Sequence, residues 1–132
     1  PSDLNITQKL LQYINDNITG ELTAQKVAKE LGISPYYLSH IFSSQLNISF
    51  PSYVAQQRMI LACNLLKDSR KTVTEISYEC GFPNMRTFHR CFQKRYECTP
   101  TQWRERSHKG TDEKIRHQLW NQEKVESENS LE

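Results

Sequence analysis

Nowhere in this 132-residue sequence does an apolar run approach the ~20 residues that a membrane-spanning helix requires. No N-terminal pattern of basic, apolar and small residues marks a signal peptide either, so the expected compartment is the cytoplasm, with no membrane partner. Glycine is scarce, at four residues, and no segment keeps the period-two alternation of a half-buried strand. Both absences argue against a sheet. The four cysteines include no C-x-x-C pair, so zinc lacks its usual ligand spacing, and structural disulfides do not suit a reducing cytoplasm. No histidine has a nucleophile or carboxylate recurring at a fixed spacing. The expectation is therefore no enzyme, no catalytic residue, no metal and no cofactor. Apolar residues make up 36% of the chain, enough for a modest core but not for a large enclosed pocket.

What is present is unevenly charged. The formal net charge is +2, but residues 1–110 hold 14 Lys+Arg against 9 Asp+Glu, and residues 111–132 hold 3 against 6. Residues 84–109 alone carry 7 against 2, a balance of +5, while residues 1–83 balance at 7 against 7. A local excess of this kind attracts polyanions. The basic segment includes CGFPNMRTFHRCFQKRYEC, residues 80–98, which mixes arginines with three cysteines and a histidine.

Helical periodicity covers nearly the whole chain. Leu10, Ile14 and Ile18 form one apolar stripe, and Ala24, Val27, Ala28 and Leu31 another, with Thr23 as cap and Gly32 as stop. Ser34-Pro35 opens a third helix with Leu38, Ile41 and Phe42 inward. A longer helix over roughly 49–68 carries Val54, Leu61 and Leu65. Thr72 and Glu75 have capping-box spacing before a short helix that ends at Gly81. A further helix over about 84–96 turns Phe88, Cys91 and Phe92 inward, and Thr99-Pro100 opens a last one through Trp103. Residues 111–132 read as a polar acidic tail, a short helix or disordered. The opening Pro1-Ser2 reads as the start of a fragment of a longer protein.

The helices repeat. Val27, Leu31, Gly32 and Ile33 match Ile76, Cys80, Gly81 and Phe82 at an offset of 49. At an offset of 50, Leu38, Ile41, Phe42, Leu46, Ile48 and Tyr53 match Phe88, Cys91, Phe92, Tyr96, Cys98 and Trp103. Cys80, Cys91 and Cys98 therefore stand where the other copy has Leu or Ile, and they read as small core hydrophobes; Cys63 reads the same way. Each copy is two helices joined by a glycine-containing turn, a helix-turn-helix plan. The fold expectation is all-α, with about seven helices in two helix-turn-helix subdomains joined by a linker helix. The boundaries are 1–48, 49–68 and 69–110, with the tail at 111–132. A helical protein-interaction module without DNA binding is the alternative that helix pairs alone leave open.

Residues 5–107 resemble the DNA-binding domain of the AraC/XylS family of bacterial transcription regulators. The matching words are LTAQKVAKELGISPYYLSHIF and TVTEISYECGFPNMRTFHRCFQKRYECTPTQWR, with Tyr53, Arg58, Ala62 and Leu65-Leu66 on the long helix. The departures are Ser77 where the family usually has Ala, Asn47 and Glu97 where it has Gly, and Gln93 where it has Lys. The resemblance implies sequence-specific binding of promoter or operator double-stranded DNA, RNA polymerase as protein partner, and a sensing or dimerising domain N-terminal to this one.

The faces opposite the core stripes are the expected readers. Tyr36, Ser39 and His40 in the first copy, and Met85, Arg86, His89 and Arg90 in the second, occupy positions the family uses for base-edge or sugar contacts. Arginine can hold guanine O6 and N7 bidentately, and Met85 can pack on a thymine methyl. Ser34, Ser43, Lys94, Arg95 and Arg104 are the expected phosphate contacts, which position without reading sequence. Arg58 and Arg104 can instead be structural, paired with a carboxylate or a helix end, and for Arg58 that is the expected role.

Overall fold

The computed structural model describes residues 3–109. The tail at 111–132 lies outside the described residues. Among them the chain is all helical: α1 (Asp3–Asp16), α2 (Ala24–Leu31), α3 (Pro35–Ile41), α4 (Phe50–Asp68), α5 (Val73–Glu79), α6 (Met85–Tyr96) and α7 (100–109). The starts follow from local chemistry. Thr23, Ser34, Ser49, Thr72 and Asn84 are extended N-caps whose side chains accept from the backbone N–H three residues on. Thr72 and Glu75 form the reciprocal capping box, and Thr99 and Gln102 form another at the start of α7.

The apolar stripes converge on two cores. Leu10, Ile14, Val27, Ala28, Leu38, Ile41 and Phe42 meet Phe50 and Val54 of α4. Ile76, Cys80, Phe82, Phe88, Phe92 and Cys98 meet Met59, Ala62 and Leu66 of the same helix. The division falls within α4, between Val54 and Met59. This differs from the expected stripe of Val54, Leu61 and Leu65: Leu61 and Leu65 are only partly buried. A helix that serves two cores has no single apolar face, so its periodicity misleads. Ile18 likewise lies past the end of α1, half-buried against the first core.

The second helix of each copy ends differently. After α3 the chain widens into a π-helical turn, Phe42–Leu46, closed by Asn47 N–H on the Phe42 carbonyl. The hydroxyls of Ser43 and Ser44 both donate to the His40 carbonyl, at 3.2 and 2.7 Å. Helix α6 runs regularly to Tyr96, with Glu97 N–H on Gln93 O. Both ends reach the left-handed region, Asn47 at φ 57° and Glu97 at φ 58°. The backbone of a C-terminal glycine cap is thus kept at both positions without the glycine.

Glutamate is poorly suited to that conformation, which costs a β-carbon-bearing residue roughly 1 kcal/mol or more. Glu97→Gly is expected to stabilise the chain by about 1 kcal/mol, raising the thermal midpoint by about 4–8 °C. Asn47→Gly is expected to gain less, because asparagine tolerates the left-handed region. Melting curves of the two variants check this; a midpoint unchanged by Glu97→Gly would overturn it.

Candidate DNA-reading surface

Two of the four cysteines are core residues, as expected. Cys80 and Cys98 are buried among Phe82, Phe88 and Phe92, and all four cysteines are free thiols. Burial, with a smaller contribution from the Glu79 carboxylate, pushes the Cys80 thiol up to about 12, so it stays protonated and apolar in behaviour. Cys91 differs from the expectation: it is half-buried and reaches a surface cleft. Cys63 is also half-buried. Among the described residues no group of three or more His, Cys, Asp or Glu is placed to hold a metal ion.

The face of α3 opposite Leu38 and Ile41 presents Tyr36, Ser39, His40 and, one turn on, Ser43, all exposed. Tyr36 is 83% exposed, extreme for an aromatic ring and hard to account for by packing. Helix α6 presents Arg86, His89, Arg90, Lys94 and Arg95, also exposed. Among the described residues, Arg86, Arg90 and Lys94 pair with no carboxylate. Arg95 lies over the Tyr96 ring, 5.9 Å from its centroid. Arg86 and Arg90 are one helical turn apart and share a face.

Two of the expected contact residues also pack within the fold. Met85 is half-buried, its sulfur 2.9 Å from the hydroxyl of buried Ser77, whose one proton is shared between that sulfur and Thr74 O at 2.8 Å. Arg104 is also committed. Its Nε donates to Leu66 O at 2.8 Å and its Nη2 to Lys71 O at 2.7 Å, closing α7 onto the end of α4. Arg58 acts in the same way one subdomain earlier, donating from Nε to Ile18 O at 2.9 Å and from Nη2 to Gly20 O at 2.6 Å. The expected structural role of Arg58 holds, with backbone carbonyls as the partners.

The serines divide. Ser34 Oγ accepts from Tyr37 N–H, leaving its hydroxyl proton directed elsewhere. Ser43 uses its proton on His40 O and must exchange that bond to serve a phosphate.

Between α3 and α6 lies a cleft of about 760 Å³. Tyr36, Ser39 and His40 line one wall, and Phe82, Pro83 and Thr87 the other. The N-terminal ends of α2, at Thr23, and α4, at Ser49, also open into it. Helix N-termini carry partial positive charge, so the cleft favours an anion though it has few free cations. Sequence periodicity gave no sign of this cleft, because its walls come from segments about 50 residues apart.

A helix-turn-helix domain model matches residues 27–106, more than half of the chain. Regulatory protein SoxS of Salmonella typhimurium is 30% identical over 105 residues, covering 80% of this chain and 98% of SoxS. The uncharacterized helix-turn-helix transcriptional regulator YijO of Escherichia coli is 35% identical over 107 residues, but the chain spans just 38% of its length. Among solved structures, the C-terminal domain of the two-component response regulator yesN from Fusobacterium nucleatum superposes with a TM-score of 0.72 at 31% identity, covering 76% of this chain and 98% of that one. Among the described residues no helix is long and apolar enough to cross a membrane. These likenesses identify a family of transcription regulators, which is not an enzyme class. With its seven described helices, paired glycine turns and exposed basic helix, the chain belongs to the AraC/XylS family as its helix-turn-helix DNA-binding domain.

Proposed function

We propose that the chain binds double-stranded DNA sequence-specifically, as the output domain of a bacterial transcription regulator, with α3 and α6 in successive major grooves. The observation that carries this reading is the pair of capped helices, each buried on one side and polar on the other, tied to one 19-residue helix. A helix of that length spans roughly 28 Å, and half-sites one turn apart lie about 34 Å apart, so modest bending of the duplex completes the fit. The subdomains are 1–48 and 69–110, bridged by 49–68.

Tyr36, Ser39 and His40 read one groove, and Arg86, His89 and Arg90 the other. Ser34, Ser43, Lys94 and Arg95 hold phosphates, and the strand between the grooves passes over the cleft with its two helix N-termini. Met85 and Arg104, half-buried and engaged within the fold, are placed at the margin of this surface, Met85 beside the base-reading face and Arg104 as a phosphate contact through its remaining N–H groups. The chain has no catalytic activity of its own and works in the cytoplasm. RNA polymerase is its proposed protein partner. A sensing or dimerising domain precedes it in the full protein, consistent with the much greater length of YijO.

Salt tests the electrostatic half of this reading. Log affinity for duplex is expected to fall linearly with log salt, with a slope of about −0.9 for each phosphate neutralised. Footprinting tests the other half and is expected to show protection over two adjacent grooves. A flat salt response removes the DNA reading. Protection over one groove removes the two-groove mechanism.

A further inference from the structure

The two cores meet different parts of one continuous helix, α4, and a contact from its middle to both halves would set α3 and α6 more closely than packing at its two ends alone. One side chain touches both halves at once. From the middle of α4, Arg58 grips the chain just past α1 through Ile18 O and Gly20 O. Against the same guanidinium lies Gly81, the turn glycine of the second copy. A β-carbon there would stand 3.0 Å from Arg58 Nε, 3.1 Å from Cζ and 2.9 Å from Ile18 O. The end of the first opening helix, the linker and the second turn thus converge on one fork. The equivalent glycine of the first copy, Gly32, has nothing within 4 Å of a built β-carbon, so the contact is no general feature of the turn.

We infer that Arg58 is a positioning residue that fixes the angle between α3 and α6, and hence the spacing of half-sites the chain accepts. The inference rests on the two-groove reading. Arg58 lines the cleft, but its Nε and Nη2 are spent on backbone carbonyls, and it acts through the geometry of the helices that hold DNA. Arginine suits the task because its planar fork donates in two directions from one rigid group, whereas lysine offers a single flexible point charge.

The test uses duplexes selected from a random library by the wild-type chain, then rebuilt with one base pair added or removed between the half-sites. Each such change shifts the half-sites by about 3.4 Å and turns them by roughly 35°. The wild type is expected to lose about tenfold or more in affinity on either change, because both helices no longer engage together. Arg58→Gln, which cannot fork, is expected to hold all three spacings within about threefold, and Arg58→Lys to fall between. Duplexes with a single half-site are expected to bind all three proteins alike. A merely structural arginine lowers the melting temperature and leaves the spacing preference sharp. A wild type indifferent to spacing overturns the two-groove reading itself. A sharp wild-type preference kept by Arg58→Lys, the milder variant, overturns the role of Arg58 alone.

Discussion

Gly81→Ala is expected to lower the thermal midpoint by about 10–25 °C, and Gly32→Ala by about 5–10 °C, although the two glycines occupy matching turns. Both sit in the left-handed region, at φ 89° and φ 68°. That conformation costs alanine roughly 1–2 kcal/mol at either site. The space around them differs. At Gly32 a methyl group enters open solvent, so the backbone term stands alone. At Gly81 it meets the Ile18 carbonyl oxygen at 2.9 Å and the Arg58 guanidinium at 3.0 Å. A backbone carbonyl cannot rotate away as a side chain tip can, so the turn must shift or the Arg58 bonds must break. Overpacking of this kind adds about 1–3 kcal/mol. The sum is a large part of the 5–15 kcal/mol that holds a domain of this size together. Thermal melts of the two variants side by side measure the difference directly. Equal midpoints would show that the close approach at Gly81 relaxes without cost.

Arg86→Ala and Arg90→Ala are each expected to cost about 1–3 kcal/mol of affinity for the selected site, some 5- to 150-fold, and to relax base preference at one or two adjacent positions. The reason lies in their setting. Both are exposed, free of carboxylate partners among the described residues, and on the open face of α6. Arg95→Ala is expected to weaken every sequence alike and to reduce the salt slope by about one, as a phosphate contact does. The α3 face carries no permanent charge at Tyr36, Ser39 or His40, so His40→Ala is expected to change preference about one DNA turn away with little change in salt slope. Affinity titrations over a panel of single-base variants at two salt concentrations separate these outcomes. A uniform loss with unchanged base preference for Arg86→Ala and Arg90→Ala would make them phosphate clamps instead of readers.

What could be read from the sequence was what depends on near neighbours. The caps at Thr23, Ser34, Thr72 and Thr99 are fixed by chemistry within three residues, and each was visible as a motif. The inward faces of α2, α3 and α6 follow from period alone, and the repeat explained why Cys80 and Cys98 are core residues. What was not legible depends on partners in other elements. Arg104 finds carbonyls 38 and 33 residues away; a structural role was open from the sequence, but these partners were not. Met85 meets Ser77 on the neighbouring helix. The core face of α4 was misjudged because two different cores claim it, and the π-helical turn after α3 has no periodic signature at all.

That shared helix also limits how such a protein can change. In arrays such as zinc fingers each unit closes its own core, so a longer target is reached by adding another unit. Here the first core is completed by Phe50 and Val54, the second by Met59, Ala62 and Leu66, and all five belong to one helix. Neither half can take α4 away with it without opening the other's core to solvent, and a third half would find no free face of α4 to close upon. The unit of inheritance is the pair. Longer operators are then open to this lineage by assembling whole copies side by side, not by lengthening the chain.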